Sequence, residues 1–85
     1  MTTFQYTLTD PHGLHARPAA MLAKAAAAFA SQITVSTPTG TADGKRLMAL
    51  MKLGASHGTV LTFRVEGPDE TEAAKSLQSF LRERL

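Results

Sequence analysis

Residues 13–30 read GLHARPAAMLAKAAAAFA, and the period of this stretch decides the class of fold. Pro18, Leu22, Ala25, Ala26 and Phe29 recur at spacings of three and four, which puts them on one inward stripe of an α-helix. Arg17, Ala20, Met21 and Lys24 share the opposite face. Pro18 falls in the first turn, where its missing N–H removes no helical bond. The alanine run brings helix propensity and small side chains suited to close packing on a sheet. His15 stands at the entrance with Arg17 two residues on, an odd pair for a helix end that already carries partial positive charge.

On both sides the period changes to two. Upstream, TFQYTLT (3–9) sets Phe4, Tyr6 and Leu8 against Gln5, Thr7 and Thr9, the pattern of a half-buried strand, and DPHG (10–13) supplies turn residues. Downstream, SQITVST (31–37) places Ile33 and Val35 on one face, and PTGTA (38–42) reads as a hairpin into a short third strand with Gly40 near the turn. RLMALMKLG (46–54) is a short helix closed by Gly54. Its row Leu47, Leu50 and Leu53 is expected to give most of the core contacts, with Asp43 capping a start that Arg46 suits poorly. TVLTFRVEG (59–67) aligns Leu61, Phe63 and Val65 as a fourth strand. PDETEAAKSLQSFLRERL (68–85) has acids at its start and Arg82 and Arg84 at its end, matching a helix dipole, with an apolar stripe of Ala73, Ala74, Leu77, Phe80 and Leu81. The order βαββαβα describes a single α+β domain over 1–85, a mainly antiparallel sheet covered on one face by helices.

Composition removes several function classes. Nine basic and seven acidic residues leave a formal charge of +2, with no basic block of the kind that grips nucleic acid or anionic lipid. One Tyr, four Phe and no Trp offer few surfaces for stacking bases. The absence of cysteine excludes disulfides and thiolate metal sites. His12 and His57 flank glycines in turns without acids or cysteine at ligand spacing, so both read as loop residues and no metal is expected. MTTFQYTLTD lacks the basic and apolar segments of a signal peptide, and no stretch approaches the ~20 apolar residues that span a bilayer. A cytoplasmic protein without membrane insertion is the expectation.

The helix entrance carries the chemistry. The first N–H groups of a helix lack intrahelical partners and attract anions. A histidine placed there is discouraged from becoming cationic, which favours its nucleophilic form. A phosphoryl group attached to that ring could then accept from the amides of Ala16 and Arg17, while the Arg17 guanidinium offers a fork of charged donors. Taken locally, two plainer readings remain open: His15 as a loop residue or polar cap, and Arg17 as a solvated side chain.

GLHARPAA (13–20), GKRLMALMKLG (44–54) and HGTVLTFRVEG (57–67) together resemble the HPr family of histidine-containing phosphocarriers of the bacterial sugar phosphotransferase system. The resemblance runs over nearly the full chain, in order and without large gaps. It implies an open-faced β-sandwich of four antiparallel strands and three helices. It implies that His15 accepts a phosphoryl group on Nδ1 from phosphorylated Enzyme I, itself charged by phosphoenolpyruvate, and passes it to sugar-specific A components. Arg17 and the Ala16 and Arg17 amides would hold the phosphoryl oxygens. Such a protein is a carrier rather than a turnover catalyst, binds no cofactor of its own and is expected to be a monomer. The resemblance also implies a docking patch on the outward faces of the first two helices: Ala20, Met21, Lys24, Leu47, Met48, Met51 and Lys52, with His12 beside it. Lys24, Lys45, Arg46 and Lys52 would form its basic rim. One departure is visible: Arg46 stands where many members carry a serine that a regulatory kinase phosphorylates, which puts that branch of control in doubt here. The rivals are a regulatory module of the same fold that signals by docking or phosphorylation state, and an α+β domain binding a small ligand or nucleic acid.

Overall fold

A computed structural model describes residues 1–85. The alternating segments form β1 (Thr2–Thr7), β2 (Gln32–Thr37), β3 (Gly40–Asp43) and β4 (Val60–Glu66), and the periodic ones α1 (Ala16–Ala27), α2 (Leu47–Lys52) and α3 (Glu70–Arg84). The expected βαββαβα order is therefore present. All three strand pairings are antiparallel and the spatial order is β1-β4-β2-β3, so the last strand in sequence is inserted between the first two.

Register turns the alternation into one continuous inner surface. Phe4 opposes Phe63, Phe63 opposes Val35, and Val35 opposes Ala42, a row that crosses every strand of the sheet. The Phe4 and Phe63 rings stack with centroids 4.8 Å apart and planes 3° from parallel. Such a pair adds about 0.5–1.5 kcal/mol beyond the area it buries. Against this surface the helices lay Ala19, Leu22 and Ala26 of α1, Leu50 of α2, and Ala73, Leu77 and Leu81 of α3, all without solvent exposure. The other face leaves Thr3, Gln5, Thr7, Arg64 and Glu66 exposed. The result is the open-faced sandwich expected from the sequence.

Three details differ from expectation. In α1 the buried stripe is Pro18, Ala19, Leu22, Ala23 and Ala26, so Ala19 and Ala23 take the places given to Ala25 and Phe29. Those two are only partly buried against the core, with Phe29 lying beyond the end of the helix. In α2 the leucine row does face the core, but unevenly: Leu50 is buried and Leu53 is half-buried against it, whereas Leu47 at the start of the row is 37% exposed. A six-residue helix is under two turns long, too short to bury a whole row. Finally, Asp43 does not cap α2. Its side chain accepts from the Lys45 N–H at 2.9 Å and its carbonyl from the Arg46 N–H at 3.1 Å, closing the turn before the helix, while Arg46 itself occupies the N-cap position.

Two anchors place the loop before α1. Gly13, at φ +67°, lies so close to the 55–56 segment that a Cβ there would sit 2.5 Å from the Ala55 carbonyl oxygen. The next N–H, of buried Leu14, donates to that same oxygen at 2.9 Å. On the other side, the Leu85 carbonyl oxygen accepts from the N–H groups of Thr9 at 2.8 Å and Asp10 at 3.0 Å and from the Thr9 hydroxyl at 2.7 Å. The end of α3 is thereby fixed to the segment that leads into His15.

Candidate functional site

His15 is the N-cap residue of α1, with extended backbone (φ −92°, ψ 179°) and no side-chain capping bond. The polar-cap reading is therefore removed. Its carbonyl accepts the first helical bond, from Ala19 N–H at 3.0 Å, while the ring projects outward with 43% of the side chain exposed. The N–H groups of Ala16 and Arg17 make no backbone hydrogen bond and stand free at the helix start. Pro18, buried just behind them, has no N–H to satisfy. The sequence thus folds into an exposed imidazole beside two open peptide donors, at the end of a helix whose dipole favours an anion.

The ring has two side-chain neighbours. Asp10 Oδ1 lies 3.8 Å from Nε2, within range of charge attraction but beyond a hydrogen bond. That oxygen also accepts from the His12 N–H at 2.8 Å, which fixes the carboxylate in the turn. A carboxylate on the Nε2 side favours the tautomer whose proton sits on Nε2, leaving the Nδ1 lone pair available. The His12 ring meets the His15 ring edge-on, with centroids 5.5 Å apart and planes at 76°.

Asp10, His15, Arg17, Pro18, Met21 and Arg84 line an open cleft of about 270 Å³. The only contacts within 4 Å between a basic nitrogen and a carboxylate are Met1 with Glu70 and His15 with Asp10, so neither Arg17 nor Arg84 has a carboxylate against it. Two free guanidiniums against one carboxylate make this an anion-accepting cleft. No group of three or more His, Cys, Asp or Glu side chains is arranged to hold a metal.

Of the residues expected at the site from sequence, the structure places His15, Ala16 and Arg17 together at the start of α1. Asp10 and Arg84 line the same cleft, and sequence reasoning does not single them out. Asp10 read only as a turn residue and Arg84 only as a complement to the α3 dipole, and no local spacing links either to His15. The remaining candidates lie on α1 and α2, which pack against each other. Ala20 and Lys24 are exposed and Met21 is half-buried on α1; on α2 Met48 is 69% exposed, Met51 38%, and Lys52 is also exposed. His12 is exposed in the preceding turn. Lys45 leaves the basic rim: its ammonium donates to the Phe29 carbonyl at 2.7 Å, where α1 ends, and is half-buried there. Arg46 stays exposed at the start of α2.

Residues 2–83 match the family model described as the PTS HPr component phosphorylation site. The phosphocarrier protein HPr of Lysinibacillus sphaericus is 42% identical over 83 residues, covering 98% of this chain and 94% of its own. The structure of a histidine-containing phosphocarrier protein from Mycoplasma superposes with a TM-score of 0.93 at 33% identity, over 96% of this chain and 93% of that one. HPr from Thermoanaerobacter tengcongensis superposes with a TM-score of 0.92 at 37% identity, over 98% and 93%.

Proposed function

The chain belongs to the HPr family of phosphotransferase-system phosphocarriers, and from that premise we propose that His15 is the residue on which it carries the phosphoryl group. The observation that supports this most is the conjunction at one helix end of a reachable ring, the unbonded Ala16 and Arg17 amides and an unpaired Arg17 guanidinium. In the proposed step the Nδ1 lone pair of His15 attacks the phosphorus of a phosphohistidine on the donor, phosphorylated Enzyme I. The donor's N–P bond breaks and its electron pair returns to the donor ring, which, protonated on its other nitrogen, leaves as a neutral imidazole. Positive charge appears on the His15 imidazole, with Nε2–H facing Asp10. The amides and Arg17 receive the phosphoryl oxygens. Phosphoryl transfer asks little of a protein beyond such positioning and charge stabilisation. The reverse geometry hands the group to a sugar-specific A component.

On this reading the chain is a carrier, phosphorylated once and relieved once per cycle, and it needs no cofactor of its own. We place it in the cytoplasm; no helix is long and apolar enough to cross a membrane. A monomer is sufficient, since β1 pairs with β4 of the same chain and the core closes internally. Donor and acceptors would dock in turn on Ala20, Met21, Leu47, Met48 and Met51, with Lys24 and Lys52 at the rim; flexible methionines suit a surface that must fit different partners.

The decisive experiment is incubation with phosphoenolpyruvate and Enzyme I. Acid-labile phosphate is expected on the wild type and absent from His15→Ala. Label that survives in His15→Ala overturns the assignment, and label that never moves to an A component marks a regulatory module instead. Arg17→Ala should keep the fold and slow transfer about ten- to hundredfold, the value of one charge-assisted contact to the moving group.

A further inference from the structure

The cleft around His15 includes a cation that local sequence does not associate with it. Arg84 lies in the last turn of α3, sixty-nine positions from His15, yet lines the same cleft. Its neighbour in that turn, Arg82, behaves differently: it donates to the Ser79 hydroxyl at 3.4 Å along its own helix and does not line the cleft. Arg84 has no carboxylate partner. Complementing the helix dipole accounts for both arginines equally, so it does not explain why only Arg84 lines the cleft.

The backbone holds Arg84 in place. Leu85, the next residue, is buried, and its carbonyl oxygen takes three donors from Thr9 and Asp10. The carboxylate beside His15 and the guanidinium of Arg84 are therefore carried by two segments bonded directly to each other. Electrostatics gives this placement a purpose. Without Arg84, a phosphoryl dianion on His15 would face one guanidinium, the Asp10 carboxylate and the negative end of the α3 dipole. Arg84 offsets part of that negative charge.

We propose that Arg84 is a second guanidinium contact to the phosphoryl group carried by His15. It donates N–H hydrogen bonds to non-bridging phosphoryl oxygens and makes or breaks no covalent bond; the N–P exchange remains the one written above. The charge spread over the equatorial oxygens in the transition state is then shared between Arg17, the Ala16 and Arg17 amides, and Arg84. This proposal rests on the reading of His15 as the phosphoryl carrier.

The test compares wild type, Arg84→Ala, Arg84→Lys and Arg82→Ala, each phosphorylated by phosphoenolpyruvate and Enzyme I. Two quantities are read: the rate of transfer by rapid quench, and the pH titration of the phosphoryl group by ³¹P NMR. Arg84→Ala should slow transfer about three- to tenfold, as expected for a partly screened charge-assisted contact. It should also move the titration of the phosphoryl group upward, because a cation no longer favours the dianion. Arg84→Lys should recover part of both, since it keeps the charge and loses the planar fork. Arg82→Ala, with the same change in net charge, should resemble wild type. Equal effects from Arg82→Ala and Arg84→Ala would reduce the role to a diffuse field and overturn the proposal, as would an Arg84→Ala protein indistinguishable from wild type. In either case label on wild-type His15 leaves the carrier reading standing. No label on wild-type His15 overturns both.

Discussion

A methyl group at position 13 has nowhere to go. Gly13 combines φ +67° with a Cβ site 2.5 Å from Ala55 O and 2.6 Å from Ser56 Cα, both rigid backbone atoms. Gly54 shares the left-handed conformation, at φ +61°, but its Cβ site has nothing within 4 Å. Gly54→Ala should therefore cost only the conformational term, about 1–2 kcal/mol. Gly13→Ala adds a backbone collision and should cost about 3 kcal/mol or more, a loss of roughly 12 °C or more in Tm for a domain of this size. Thermal unfolding of the two variants checks this directly, and equal losses would show that the loop yields freely. The same loop explains what could be read from sequence at the scale of single residues. His15, Ala16 and Arg17 are neighbours along the chain, and helix-end physics assigns them a role without any knowledge of tertiary structure. Asp10 is held beside His15 by the turn itself, through its bond from the His12 N–H, whereas Arg84 reaches the same cleft because the Leu85 carbonyl is bonded to Thr9 and Asp10. A backbone hydrogen bond between distant segments leaves no residue-type signature, so the place of Arg84 was not legible.

Among the elements, the strands were legible and their arrangement was not. Alternation identifies the inner faces of β1, β2 and β4, because one-sided burial imposes a period of two. It does not distinguish β4 inserted between β1 and β2 from β4 at an edge, since Phe63 alternates identically in either place. Helix α2 was legible only in part: the leucine row turns inward, with Leu50 buried and Leu53 half-buried at the C-cap, but fewer than two turns do not separate the faces and Leu47 is left exposed beside Met48 and Met51. The structure leaves Leu47, Met48 and Met51 outward, an apolar surface with Met48 the most exposed at 69%. If this face docks partners, Met48→Asp should weaken binding to both Enzyme I and an A component about tenfold while leaving Tm within about 2 °C of wild type. Titration calorimetry with each partner measures this; unchanged affinity for both removes Met48 from the interface. A defect for one partner alone would show that the two do not share this contact.

At the scale of the whole molecule, α3 is a strap fastened at both ends. At its start, Asp69 accepts from the Ala30 and Ser31 N–H groups, each at 2.9 Å, and from the Ser31 hydroxyl, tying the α1–β2 connection. Glu70 accepts from the Thr2 hydroxyl at 2.8 Å and the Gly67 N–H at 3.3 Å, tying β1 and the end of β4. At its far end Leu85 holds the loop before α1. The Ser31 hydroxyl, then the Ala30 amide, holds the Asp69 carboxyl below its usual range, and the Thr2 hydroxyl leads the same effect on Glu70. A carboxylate depressed in the folded state contributes stability that is complete above its unfolded value and is lost as pH falls through its folded one. The protein should therefore lose Tm progressively below about pH 4. Asp69→Ala should lower Tm at pH 7 and flatten its fall between pH 5 and 2, because one of the two depressed groups is gone. An acid slope as steep as that of wild type would show that Asp69 is not a source of the loss. The strap also separates stability from chemistry: its fifteen residues put Asp69 roughly 20 Å along the helix from Arg84. Well below its lowered Tm, Asp69→Ala should still transfer phosphoryl groups at the wild-type rate, whereas Arg84→Ala should show the opposite pattern, slowed transfer with Tm lowered by only the few degrees that a helix-end cation contributes. A transfer defect in Asp69→Ala at low temperature would mean that the two ends of α3 are mechanically coupled, and that the cleft depends on the whole strap rather than on the Leu85 fastening alone.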